Sequence, residues 1–191
     1  MDFAATAMTE RSKSLPPRLV PERPFPPYAY TPGLTPHPTR DPEGHSYGAK
    51  SETPEPPDPE AWRACGDYLY GIDLFNHGFY WEAHEAWEGL WVACGRRGPT
   101  ATYLQALVNL AATGFKARWG NARGMRANAR TALSLFEAAA RQPGSHTTHT
   151  MGLDVRALAD YAERIARSTR TSDTATGDER RPVFDLVLRP E

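Results

Sequence analysis

Cysteine is nearly absent from the chain: two residues, Cys65 and Cys94, in 191. That is too few for a disulfide framework, and neither belongs to a CxxC pair. Each falls within a helix-like apolar pattern, where a buried thiol is inert. Long apolar runs are missing as well. Arg, Lys, Asp or Glu interrupts each candidate before it reaches the roughly 18 residues of a membrane span. The opening MDFAATAMTERSKS lacks the basic start and apolar stretch of a signal peptide. The expectation is a cytoplasmic protein with no membrane partner. No charge sign dominates either: 22 basic residues face 23 acidic ones, a net charge of −1, which excludes a globally basic nucleic-acid binder. Lysine is scarce beside arginine, 3 against 19, a bias of genome composition more than of function. Proline is scarce only after residue 59; 14 of the 18 lie within residues 1–59. The low mean hydropathy of −0.60 therefore averages two unlike materials.

Residues 1–59 contain PPRLVPERPFPPYAY and TPGLTPHPTRDPEGHSYG. Proline fixes φ, removes a backbone donor and pushes its predecessor out of the α region, so this segment reads as an extended, partly polyproline arm. Residues 1–20 and 49–59 read as linker. Between them, Phe25, Tyr28, Tyr30 and Tyr47 offer apolar surface, and residues 20–48 are expected to dock on the folded domain.

From Asp58-Pro59-Glu60 the pattern changes. Asp as N-cap, Pro at N1 and Glu in the first turn predict a helix start. Apolar residues then recur at three- and four-residue spacing through five segments, broken near Gly78, Gly95, Gly120 and Pro143. Short connections favour antiparallel neighbours, so the expectation is an all-α bundle of about five helices over residues 60–168. Residues 169–191 read as a disordered linker, TRTSDTATGDERR, followed by an extended strap, PVFDLVLRP.

The residues that carry chemistry concentrate in NHGFYWEAHEAWEGLW, residues 76–91. At 100° per residue, His77, Tyr80, Trp81, His84, Trp87, Glu88 and Trp91 share one broad face. His84 and Glu88, at i and i+4, thus sit in an aromatic stripe, which is costly for polar groups unless they are paired. Gln105, Asn109 and Lys116 form a polar line on the next helix. If that line faces His84 and Glu88, the bundle encloses a polar pocket with a base, an acid, an amide pair and an ammonium. Three readings fit. One is a satisfied polar network that fixes helix register. The second is a divalent metal site built from His84, Glu88 and His77, completed by His37, Asp41 or His45 of the arm. The third is metal-free acid–base or phosphoryl chemistry, with Glu88 or His84 as base and Arg40 or Lys116 holding an anion. A basic stretch on the fourth helix, Arg123, Arg126 and Arg130, is either a solvated face or a contact for RNA phosphates.

FNHGFYWEAHEAWEGLW followed by YLQALVNLAATGFKARWGNARGMRANA resembles the bacterial domain-of-unknown-function family 309. Its signature falls here on Asn76, Gly78, Tyr80, Glu82, His84, Glu85, Glu88 and Trp91, then on Gln105, Gly120 and Asn121. The resemblance covers roughly residues 65–140 and implies an all-α fold, with no established activity. With it, Glu85 joins His84 and Glu88 as a candidate catalytic residue. Asn76 and Glu82 join Gln105, Asn109, Lys116 and Arg40 as candidate ligand contacts. The leading expectation is a buried pocket for a small ligand or anion. The alternatives are an interaction module whose polar residues are architectural, and a metal-dependent hydrolase.

Overall fold

The helical spacing becomes five α-helices in the computed structural model, which describes residues 15–49, 53–141, 149–168 and 181–191. They are α1 (Gly66–Asn76), α2 (Tyr80–Ala93), α3 (Pro99–Arg118), α4 (Ala122–Ala140) and α5 (Val155–Arg167). Each packs on the next, α1 on α2 through to α4 on α5, so the chain folds as an all-α bundle. The one addition is a two-residue antiparallel pair, β1 (His149–Thr150) with β2 (Leu153–Asp154). Met151 and Gly152 turn between them, both at positive φ, as a two-residue hairpin requires. No helix among the described residues is long and apolar enough to cross a membrane.

Side-chain caps set two of the helix starts. Asn121 accepts the Gly124 N–H at 2.8 Å, and Asp154 accepts those of Arg156 and Ala157 at 3.0 and 3.1 Å. Pro99 opens α3 at a position whose N–H needs no partner. The expected start at Asp58 is not observed. Asp58 accepts the Glu60 N–H at 2.9 Å in a local turn, a short 3₁₀ segment follows at Trp62–Ala64, and α1 begins only at Gly66. An Asp side chain that bonds two residues on offers the backbone an alternative to the helix.

The buried stripe of α2 runs through Tyr80, Ala83, Trp87 and Leu90, joined by Glu82. The broad aromatic face expected from the helical wheel is therefore divided. Tyr80 and Trp87 enter the core, while Trp81, His84, Glu88 and Trp91 are half-buried along its margin. Glycine permits the close approach of neighbouring helices. A Cβ on Gly71 of α1 would overlap the Trp87 indole, and one on Gly114 of α3 would stand 2.6 Å from the Tyr80 ring.

Two extended segments complete the core. Val20, Ala29 and Thr31 of the arm are buried, and so is Leu188 of the C-terminal strap. Asn76, at the last turn of α1, donates to the Leu188 carbonyl at 2.9 Å and accepts the Leu188 N–H at 2.8 Å. Val183 adds an N–H bond to the Tyr80 hydroxyl, and Tyr161 of α5 donates to Asp185. The expectations placed on residues 1–14, 50–52 and 169–180 and on Pro143 lie outside the described residues.

Replacing Asn76 by Ala leaves two buried strap groups without partners, at roughly 1–3 kcal/mol each. Asn76→Ala is expected to lower unfolding stability by about 2–4 kcal/mol in urea titrations, whereas Arg40→Ala, on an exposed turn, leaves it unchanged.

Candidate functional site

One turn beyond the point where the arm crosses α2, three side chains that can ligate a metal converge. His84 Nδ1 lies 3.3 Å from the Val108 carbonyl oxygen of α3. A carbonyl only accepts, so this contact assigns the ring proton to Nδ1 and leaves Nε2 facing the carboxylates. Nε2 is 3.6 Å from Glu88 Oε2 and 4.0 Å from Glu85 Oε1, too far for hydrogen bonds. One ligand atom from each of the three residues lies within 4.8 Å of the others. The expected burial does not hold: the side chains of His84, Glu85 and Glu88 are 27, 44 and 43% exposed. The core stripe passes one residue to the side, and the cluster rides the edge of the α2–α3 seam. Partial burial still raises the Glu85 carboxyl pKa above its ordinary value. Glu88 and Glu82 add to that rise, and His84 opposes it.

The other candidates are held elsewhere. Glu82 is buried, 5% exposed at its side chain, and faces the arm: Oε1 accepts the Tyr30 N–H at 2.8 Å and lies 3.4 Å from His45 Nε2. His45 also meets Ser46 Oγ at 2.9 Å through Nδ1. His37 packs edge-on against Trp81, with ring centres 5.6 Å apart, and its Nδ1 accepts the Thr39 N–H. His77 donates through Nδ1 to the Asp73 carbonyl and lies against Phe25. None of these three histidines joins the His84 cluster among the described residues, because each is anchored to the arm or to α1. Asp41 accepts the Glu43 N–H within its own turn, and Arg40 is exposed.

Two members of the polar line of α3 have partners within their own stretch of chain. Asn109 donates to the Gln105 carbonyl at 2.8 Å, satisfying its own helix, and Lys116 lies over the Trp119 and Phe115 rings. Asn76, expected as a ligand contact, binds the strap.

Two anchoring residues escaped the sequence reading. Asp73 accepts the N–H groups of Leu19 and Val20 at 2.7 and 3.0 Å, with Arg18 Nε at 3.5 Å. A lone acid inside the apolar run IDLF was its only signal. Arg118 is buried; it donates to the carbonyls of Gly78 and Arg181 and lies over the Tyr80 ring.

Fold and site together define an all-α domain with a half-exposed His–Glu cluster on its second helix and two extended segments clasped beside it. Residues 68–128, from the first turn of α1 into α4, match the model of the family described as Domain of unknown function (DUF309). The match supports the resemblance carried by the signature. No curated protein matches the chain.

Glu82→Ala removes the acceptor of the Tyr30 N–H and the partner of His45. The variant is expected to be cut several-fold faster within residues 15–49 in limited proteolysis while keeping its helical circular dichroism. Unchanged cleavage would show that Asp73 and the aromatic contacts hold the arm without Glu82.

Proposed function

We propose that the α2 face binds a divalent metal ion through His84, Glu85 and Glu88, leaving its remaining coordination positions open to solvent. The observation that carries this reading is the orientation of His84. Its Nδ1–H is engaged by the Val108 carbonyl, and its Nε2 is turned toward two carboxylate oxygens that it does not hydrogen-bond. A histidine oriented through its second nitrogen is the usual support of a metal ligand. One imidazole and two carboxylates suit zinc, manganese or ferrous iron. Metal–ligand distances near 2.0–2.2 Å fit these separations after small rotations of the exposed carboxylates.

Three protein ligands on one side leave room for water and a small oxygen-donor ligand, the arrangement used in metal-assisted hydrolysis. The metal also supplies what the bare face lacks for an anion. Glu82, Glu85 and Glu88 make the face acidic, and neither Arg40 nor Lys116 contacts it among the described residues. The two free cysteines fit a reducing compartment, and we place the protein in the cytoplasm.

A second reading, an interaction module with architectural polar residues, draws on the use of Asp73, Asn76 and Glu82 to hold the arm and strap. The two readings diverge at His84. In chelator-stripped protein, titration with Mn²⁺ or Zn²⁺ is expected to show one site per chain and to raise the melting temperature. Glu85→Gln/Glu88→Gln is expected to abolish that site while changing metal-free stability by less than about 1 kcal/mol. Protons compete for the same groups, so affinity is expected to rise with pH through the carboxylate and imidazole ranges. Because Glu85 titrates above its ordinary value, the loss on acidification begins early. Absence of binding, with His84→Ala lowering the melting temperature equally in chelator, would favour the architectural reading.

A further inference from the structure

Residues of α4 and of the end of α5, two helices that pack on each other, line an open groove of about 730 Å³. Arg126, Arg130 and Leu133 line it from α4 at i, i+4 and i+7 spacing; Glu163, Ala166 and Arg167 line it from α5. Its charge is not internally balanced. Arg167 holds Glu163 at 2.7 Å, so that pair is close to neutral. Arg126 and Arg130, one turn apart on the same helix, have no ion pair or hydrogen bond among the described residues. Guanidinium groups do not lose their protons in proteins, and like charges at i, i+4 repel, so the bare helix carries a standing cost that an anion between them removes.

We propose that this groove binds a small phosphate-bearing molecule, with Arg126 and Arg130 as the phosphate clamp and Leu133 and Ala166 as an apolar floor. The planar donor fork of arginine matches phosphate oxygens in pairs. The volume falls within the range of small-ligand sites, about 300–1,000 Å³. A nucleic acid is a poorer occupant. The protein is net −1, its first 59 residues carry more acids than bases, and no aromatic side chain lines the groove to stack a base. The site is independent of the metal reading, since it shares no residue with the His84 cluster and its one carboxylate is already paired.

The experiment is calorimetric titration of the full-length protein with inorganic pyrophosphate in low salt and chelator. A parallel anisotropy titration uses a labelled 12-nucleotide RNA. Saturable 1:1 pyrophosphate binding is expected, with at least about tenfold weaker affinity in Arg126→Gln/Arg130→Gln and none of that loss in Arg156→Gln, an exposed arginine of α5 outside the groove. Helical circular dichroism of the double variant confirms that it folds. The proposal is overturned by the absence of pyrophosphate binding at millimolar concentration. It is equally overturned by unchanged binding in the double variant, or by RNA binding without pyrophosphate binding. Because no metal is present, a failed metal site leaves every one of these outcomes readable.

Discussion

A proline-rich chain cannot satisfy its own backbone, and much of this structure answers to that constraint. The arm makes no ladder with itself beyond local turns, so its N–H groups need acceptors from elsewhere wherever it is buried. Asp73 serves Leu19 and Val20, Glu82 serves Tyr30, and Asn76 serves both backbone groups of Leu188 in the strap. All three sit at the corner where α1 turns into α2. Buried carboxylates there would be costly without partners. Here the partners are backbone donors of extended segments, so each side supplies what the other lacks. Aromatic contacts extend the clasp, with Phe25 stacked on Phe79 and Tyr30 on Phe115 of α3.

That clasp also shapes the chemistry of α2. Glu82 and Trp81 are covered by the arm, whereas His84, Glu85 and Glu88 emerge one turn later where the cover ends. The same helix therefore changes from anchor to exposed ligand cluster within a few residues. The acidic edge lies on α2 and Arg126 and Arg130 on α4, and both helices pack on α3. A chain whose overall charge is near zero thus presents two local fields of opposite sign, and each favours a different class of small ion.

How much was legible beforehand depends on whether the signal is local. Helix periodicity and the break at Gly120 are matters of adjacent residues, and they read directly. The Asp58 start misled because capping and a local turn use the same Asp-x-Glu chemistry, and only the packing of Trp62 separates them. Helical arithmetic placed His84 and Glu88 together correctly, because i and i+4 share a face in any α-helix. It misjudged their burial, because a wheel shows which residues are neighbours and not which side meets the core. His37, His45 and His77 were all offered as ligands, yet they meet Trp81, Glu82 and Phe25, contacts that spacing does not encode.

The sequence by itself determined an all-α bundle, a proline-rich arm that cannot be helical, and a histidine flanked by glutamates at helical spacing. These follow from torsional restriction and a 3.6-residue period, both properties of neighbouring residues. Only the tertiary structure decided which acids hold the arm and which face solvent. It also showed that Asn76 is a strap anchor, and that Arg118 is buried while Arg126 and Arg130 line a groove without an ion pair among the described residues. Those distinctions depend on which backbone donors and neighbouring helices reach each side chain, and the two segments that supply many of them are more than 40 residues away in the chain.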